Sequence, residues 1–221
     1  MTIRIAMLLF PDLTQLDLTA PYEVLTRLPQ AEVSLAWKSP EAVRSGTGLR
    51  LLPNTTLLDA PPADVLFVPG GSGLVPLLRD AEVLAFLRRQ AATARYVSAV
   101  CTGSLLLGAA GLLEGYRATT HWAYHELLAR CGATPVHQRV VVDRDRITAG
   151  GVTAGVDFAL RLAAELCGEP VARAIQLGLE YDPEPPFDSG TPERASPELV
   201  QLVRDRLEPA RRGYAAQLPE R

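Results

Sequence analysis

Short, wholly apolar runs alternate along this chain with longer segments of mixed character, and the alternation predicts its architecture. Ile3–Phe10 (IRIAMLLF), Glu32–Trp37, Asp64–Val68 and Tyr96–Val100 are continuous runs rich in aliphatic, β-branched or aromatic residues, the pattern of strands buried on both faces of a parallel sheet. Stretches of helical length separate them. Pro21 suits the first turn of a helix running to about Leu28, where it loses no needed N–H, and Thr19 is the nearby cap. Asp80 is placed to cap a helix through about Thr93, and Thr102–Ala110 is small and aliphatic enough for a buried helix. Further helices are predicted over Thr153–Leu166, Pro170–Leu179 and Ser196–Leu207. Arg139–Val142 and Arg146–Ala149, joined around Asp143-Arg144-Asp145, read as an edge hairpin. Leu49–Leu52 and Asn54-Thr55-Thr56 are short and peripheral. Asp182–Pro192 (DPEPPFDSGTP) is too proline-rich for regular structure.

Strands alternating with helices imply an α/β fold, a flavodoxin-like parallel sheet sandwiched by helices with its site at the strands' carboxyl ends. Residues 1–181 are expected to form this domain, and residues 182–221 a C-terminal extension of loop plus helix packed on it. Cys101 stands between a strand and a helix with no room for a loop, the geometry of a nucleophile elbow. The free N–H groups at the start of that helix should ease loss of the thiol proton. The plainer alternative is a buried cysteine acting as a small hydrophobe. Asp17 falls in the turn or short helical segment after the first strand. Capping would be its ordinary role, but Thr19 leaves it free for another task. Pro69-Gly70-Gly71-Ser72-Gly73 ends the third strand, and a glycine-rich turn there lets backbone N–H groups approach a ligand. Asp17, Gly70-Gly71 and Cys101 should therefore converge. A carboxyl beside a thiol in apolar surroundings has its pKa raised by desolvation and like charge, so it could serve as both acid and base near neutrality.

Composition narrows the partners. The 221 residues suit one domain with an extension, and 48% hydrophobic residues allow a sizeable core without any run as long as a membrane span. Met1-Thr2-Ile3-Arg4-Ile5 leads directly into a strand pattern, so no signal peptide is expected. The three cysteines, Cys101, Cys131 and Cys167, are odd in number and widely spaced, which favours free thiols in a reducing, cytoplasmic setting over a disulfide scaffold or zinc cluster. A net charge of −3 disfavours nucleic acid. Lys38 is the only lysine, which disfavours Schiff-base chemistry. The glycine turns lack P-loop and dinucleotide spacings. His121 and His125 are four apart and could share a helix face, but Trp122 stands where a zinc-protease motif needs Glu, so no metal is expected.

Five motifs carry a wider resemblance: Leu16-Asp17-Leu18-Thr19-Ala20-Pro21, Val68-Pro69-Gly70-Gly71, Ala99-Val100-Cys101-Thr102-Gly103, Ala118-Thr119-Thr120-His121-Trp122 and Gly150-Gly151-Val152-Thr153-Ala154-Gly155, with Glu180-Tyr181-Asp182-Pro183 beside them. On these the chain resembles the DJ/PfpI superfamily, the class I glutamine-amidotransferase-like fold, over nearly its whole length. Within it the chain looks most like the isocyanide hydratases. That resemblance implies addition of water to an isocyanide to give an N-substituted formamide, with Cys101 as nucleophile, Asp17 as acid/base and Thr102 assisting. It implies no metal or organic cofactor, and a homodimer. Gly70, Gly71 and His121 are the expected substrate-binding or oxyanion groups. Relatives depart informatively: proteases of the superfamily carry His after the cysteine, where Thr102 stands here, and glutaminases need a later His-x-Glu pair that none of the three histidines supplies. Glyoxalase-like relatives often have Glu in place of Asp17, and sensor domains of AraC-type regulators share the motifs but continue into a helix-turn-helix region. Both remain alternatives.

Overall fold

The computed structural model describes residues 2–219; the last two residues of the expected 182–221 extension lie outside the described residues. Its strands are β1 (Ile3–Leu8), β2 (Ala31–Trp37), β3 (Val43–Arg44), β4 (Arg50–Leu51), β5 (Thr55–Thr56), β6 (Val65–Val68), β7 (Tyr96–Val100), β8 (Arg117–Ala118), β9 (Thr134–Pro135), β10 (Val140–Asp143) and β11 (Arg146–Ala149). The α-helices are α1 (Gln15–Leu25), α2 (Ala81–Ala91), α3 (Gly103–Ala109), α4 (Ala154–Cys167), α5 (Glu169–Gly178) and α6 (Pro197–Gln217), with 3-10 segments at Ser72–Leu74, Pro76–Arg79 and Trp122–Cys131.

The main sheet has seven strands in the order β10-β11-β7-β6-β1-β2-β5. All neighbours are parallel except the β10–β11 edge hairpin. From β1 the chain winds outward to β2 and β5, then returns to the other side of β1 as β6 and continues to β7 and β11. The order therefore reverses between β1 and β6. Loops leaving the carboxyl ends of these two strands part there and open a crevice, the place where such sheets hold ligands. All four residues of β6 and the last four of β1 and β7 are buried, as their unbroken apolar runs require. The helices α1, α4 and α5 pack together, while α2 and α3 pack on β6 and β7.

Three elements differ from the sequence expectation. Helix α1 begins at Gln15, not near Pro21, and Pro21 lies inside it. Its ring packs on α4, where a Cβ at Gly155 would stand 3.1 Å from Pro21 Cδ. Thr19 does not cap; its hydroxyl donates to Gln15 Oε1 at 2.9 Å. The segment after His121 is 3-10 rather than α-helical, with His121 as its N-cap. Helix α6 runs through Pro209 to Gln217, ten residues beyond the predicted end, and packs on Pro76–Arg79 and Trp122–Cys131.

Candidate active site

Cys101 follows β7 without an intervening residue and adopts φ +55°, a left-handed conformation that costs an L-residue about 1–2 kcal/mol. Its backbone is held from both sides. The N–H is shared between the carbonyls of Ala149 and Gly150, each at 3.0 Å, and the carbonyl accepts from the Thr120 hydroxyl at 2.6 Å. Gly103 lets α3 start against β6: a Cβ there would lie 2.2 Å from the Val68 carbonyl oxygen.

Asp17 is the third residue of α1, after the N-cap Thr14. An acid at this position commonly reaches back to the N-cap N–H. Here the Thr14 N–H already donates to the Gly70 carbonyl at 2.9 Å, which frees the carboxyl to turn inward. It is completely buried, and neither oxygen has a hydrogen-bond partner; no other described side chain has buried polar atoms so left. Burial pushes its pKa up to about 7, and the neighbouring Cys101 thiol and Gly70 N–H only partly oppose that, without reaching hydrogen-bond geometry. Gly70 makes the approach possible. A Cβ at position 70 would sit 2.7 Å from Cys101 Cβ, 2.8 Å from Asp17 Oδ2 and 2.8 Å from the Thr102 nitrogen.

Two electrostatic details correct the sequence reading. The Cys101 thiol is pushed above its ordinary pKa, first by burial and then by the Asp17 charge; the Thr102 and Val152 N–H groups beside the sulfur work the other way and are outweighed. The start of α3 therefore does not make Cys101 an acidic thiol. Gly71 is not a free donor either, because its N–H donates to Thr102 Oγ1 at 3.0 Å. The backbone donors beside the sulfur are those of Thr102 and Val152.

Cys101 opens onto a cavity of about 260 Å³, lined also by Thr102, His121, Tyr124, Val152, Leu207, Ala210 and Tyr214. Asp17 does not line it and lies behind Cys101 and Gly70. Burial lowers the His121 pKa to about 4, so its ring is neutral at pH 7. The Ala123 N–H donates to Nδ1 at 3.3 Å, which leaves Nε2 as the protonated nitrogen. His125 diverges from it and stacks on His137 with ring centroids 3.7 Å apart. No group of three or more His, Cys, Asp or Glu side chains suited to a metal occurs among the described residues. A larger groove of about 810 Å³, between α6 and the Trp122–Cys131 segment, contains neither Cys101 nor Asp17.

Sequence reasoning missed Tyr124 and Tyr214. The Tyr214 hydroxyl donates to the Gly71 carbonyl at 2.6 Å and meets Thr102 Oγ1 at 3.0 Å, while the two tyrosine rings stand edge to face at 5.3 Å. The spacing Leu207, Ala210, Tyr214, Leu218 was the available signal, since it marks one inward-facing stripe, half-buried at Leu207 and Ala210 and buried at Tyr214 and Leu218.

The switch-point crevice, the left-handed cysteine and the buried carboxyl define an α/β protein with a nucleophile elbow. Its sequence matches the DJ-1/PfpI family over residues 3–165, and the chain belongs to that family. It is 57% identical over 210 residues to the isonitrile hydratase of Pseudomonas putida, spanning 95% of this chain and 92% of that protein. A ThiJ/PfpI family protein from Pseudomonas syringae superimposes with a TM-score of 0.96 at 42% identity, over 98% of this chain and 90% of that one. The HTH-type transcriptional regulator GbdR of Pseudomonas aeruginosa is 34% identical over 144 residues, 63% of this chain but only 38% of the regulator.

Proposed function

We propose that this protein is an isocyanide hydratase, isonitrile and isocyanide being two names for one functional group. The observation that carries the reading is the Cys101–Asp17 pair across Gly70, in a chain 57% identical to the P. putida enzyme over nearly the full length of both.

The electrostatics suggest how the pair works. Asp17 titrates near 7 while the thiol lies above its ordinary range, so the carboxyl ionises first and faces a neutral thiol. Asp17 takes the thiol proton as sulfur bonds to the terminal isocyanide carbon, then delivers it to that same carbon. The product is a thioimidate, R–N=CH–S–Cys101. Water adds across the C=N bond, hydroxyl to carbon and proton to nitrogen. Collapse breaks the C–S bond and releases the N-substituted formamide, the hydroxyl proton returning through Asp17 to sulfur. One water is consumed and no redox partner enters. The Thr102 and Val152 N–H groups support negative charge on sulfur, the Thr102 hydroxyl ties Gly71 and Tyr214 to the elbow, and neutral His121 offers its Nε2–H to the cavity.

The decisive assay follows conversion of a simple aryl isocyanide to its formamide by purified, reduced protein. Turnover with a mass adduct on Cys101 under single-turnover conditions is expected; no turnover by folded protein would sink the reading. The absence of a disulfide among the described residues is in keeping with a proposed cytoplasmic location. The enzyme is further proposed to work as a homodimer, in keeping with apolar side chains left exposed at Leu177, Phe187, Leu199 and Leu202. A monomer mass in light scattering at micromolar concentration would reject that.

A further inference from the structure

The family match ends at residue 165, yet one wall of the Cys101 cavity is made by residues 207–214. We propose that α6 is the specificity element of this enzyme, with Ala210 and Leu207 limiting the size of the group carried on the isocyanide nitrogen; the proposal rests on the hydratase reading above.

Substrate geometry makes such a wall matter. An isocyanide is linear through carbon, nitrogen and the first atom of its substituent, so with carbon in bonding reach of sulfur the substituent begins two bonds further out, in the space in front of Cys101. It cannot turn back toward Asp17 and Gly70, where the site is filled: Asp17 is wholly buried and a single Cβ at position 70 would collide with three neighbours. The substituent must occupy the cavity bounded by Leu207, Ala210 and Tyr214, residues three and four apart and therefore on one helical stripe. Leu207 and Ala210 add no charge or hydrogen-bonding side chain to it, which suits a hydrocarbon group rather than an ionic one.

The wall is also fixed in place. Tyr214 ties it to Gly71. Arg79 donates to the carbonyls of Ala216 and Gln217 at 3.3 and 3.1 Å, and Arg130 to those of Leu218 and Pro219 at 2.8 and 3.0 Å. These arginines satisfy carbonyls that a helix end leaves unpaired. Gly213 presses on the 3-10 turns, where a Cβ would lie 3.2 Å from Val75 Cγ1. A wall held at so many points excludes an oversized group instead of yielding to it.

The test uses Ala210→Leu to shrink the cavity and Leu207→Ala to enlarge it, on the full chain, with circular dichroism and thermal melting to verify folding; both residues are good helix formers. The ratio of kcat/KM for cyclohexyl isocyanide to that for methyl isocyanide should fall at least about tenfold in Ala210→Leu, chiefly through KM, and rise in Leu207→Ala. A second readout needs no turnover: the relative rates at which N-methylmaleimide and N-cyclohexylmaleimide alkylate Cys101, located by mass spectrometry, should shift in the same directions. Unchanged ratios in both assays overturn the proposal. If wild-type protein converts no isocyanide, the hydratase reading falls by itself, and the maleimide ratio still decides whether α6 limits access to Cys101. Should Ala210→Leu fail to fold, the two ratios measured on Leu207→Ala decide the matter alone.

Discussion

Around Cys101 nearly every group is buried and short-range in origin: β7 runs into Cys101, β6 into Gly70, and β1 through a short loop into Asp17. Helix α6 is a different kind of structure. Its first half is largely exposed, with Leu202 46% accessible and Arg204 laid over the Trp122 ring, and its second half docks more closely, through Tyr214, Leu218 and arginines supplied by other segments. The first region holds reactive groups in conformations and charge states that folding alone would not favour. The second holds ordinary side chains at a fixed distance from them. Substitutions at the elbow should therefore change the chemical step, and substitutions in α6 should change binding and stability.

The largest effect expected is from Cys101→Ala, which should reduce formamide production to the uncatalysed background while circular dichroism and the thermal midpoint stay near wild type. Near-normal turnover would end the covalent mechanism. Asp17→Asn should follow, with turnover falling about 10²–10⁴-fold, the usual contribution of general acid–base catalysis. Because Asp17 must be ionised to accept the thiol proton, wild-type kcat/KM should rise with pH through about 7, and that limb should vanish in the asparagine variant.

Asp17 also links stability to pH. Its folded pKa of about 7 lies above the ordinary value of 3.8, so the native state binds this proton more tightly than the unfolded chain does. The native state is favoured fully below pH about 4, and loses that advantage as pH rises to about 7, by up to roughly 4 kcal/mol. Asp17→Asn should accordingly melt above wild type at pH 8, with the gap closing toward pH 4. Capping preferences alone would expect no such gap, since Asn and Asp cap equally well.

Gly70→Ala comes third. It should lower both activity and thermal midpoint, because the new methyl meets Cys101, Asp17 and Thr102 at once. Tyr214→Phe tests the other region. Losing the donor to the Gly71 carbonyl should cost about 1–3 kcal/mol in denaturant unfolding and raise KM more than it lowers kcat; a loss confined to kcat would erase the distinction between the two regions. The smallest effect belongs to Cys167→Ala, remote from the cavity, with stability within about 0.5 kcal/mol of wild type and unaltered turnover.

The elbow was legible because its signals are local. An apolar strand run, a cysteine and a small-residue helix adjoin in sequence, and β7 begins and ends where the run does. The position of Asp17 was legible too, but the helix carrying it was not. Pro21 reads as a start signal, and Thr14 gives no side-chain cap that would move the start back to Gln15. What anchors that start is the Gly70 carbonyl, which accepts from the Thr14 N–H, a contact that exists only once β1 and β6 are neighbours. The upward shift of the thiol pKa is hidden from the sequence for a similar reason. The helix start is visible in sequence, whereas complete burial beside a second ionisable group belongs to the folded site. The full length of α6 is hidden too, because Pro209 and the Arg211-Arg212 pair resemble the end of a helix. The groups that hold its last turns, Gly71, Arg79 and Arg130, lie more than 80 residues away along the chain.

The left-handed backbone of Cys101 also bears on how such a protein can be evolved in the laboratory. Glycine adopts φ +55° with no steric penalty, so replacing Cys101 by glycine should make the chain more heat-resistant and catalytically dead. A library sorted by survival at high temperature alone would be drawn toward that replacement, and the survivors would look like successes until assayed. Any campaign to toughen this scaffold has to screen each round for turnover as well as for heat, or hold position 101 constant from the start.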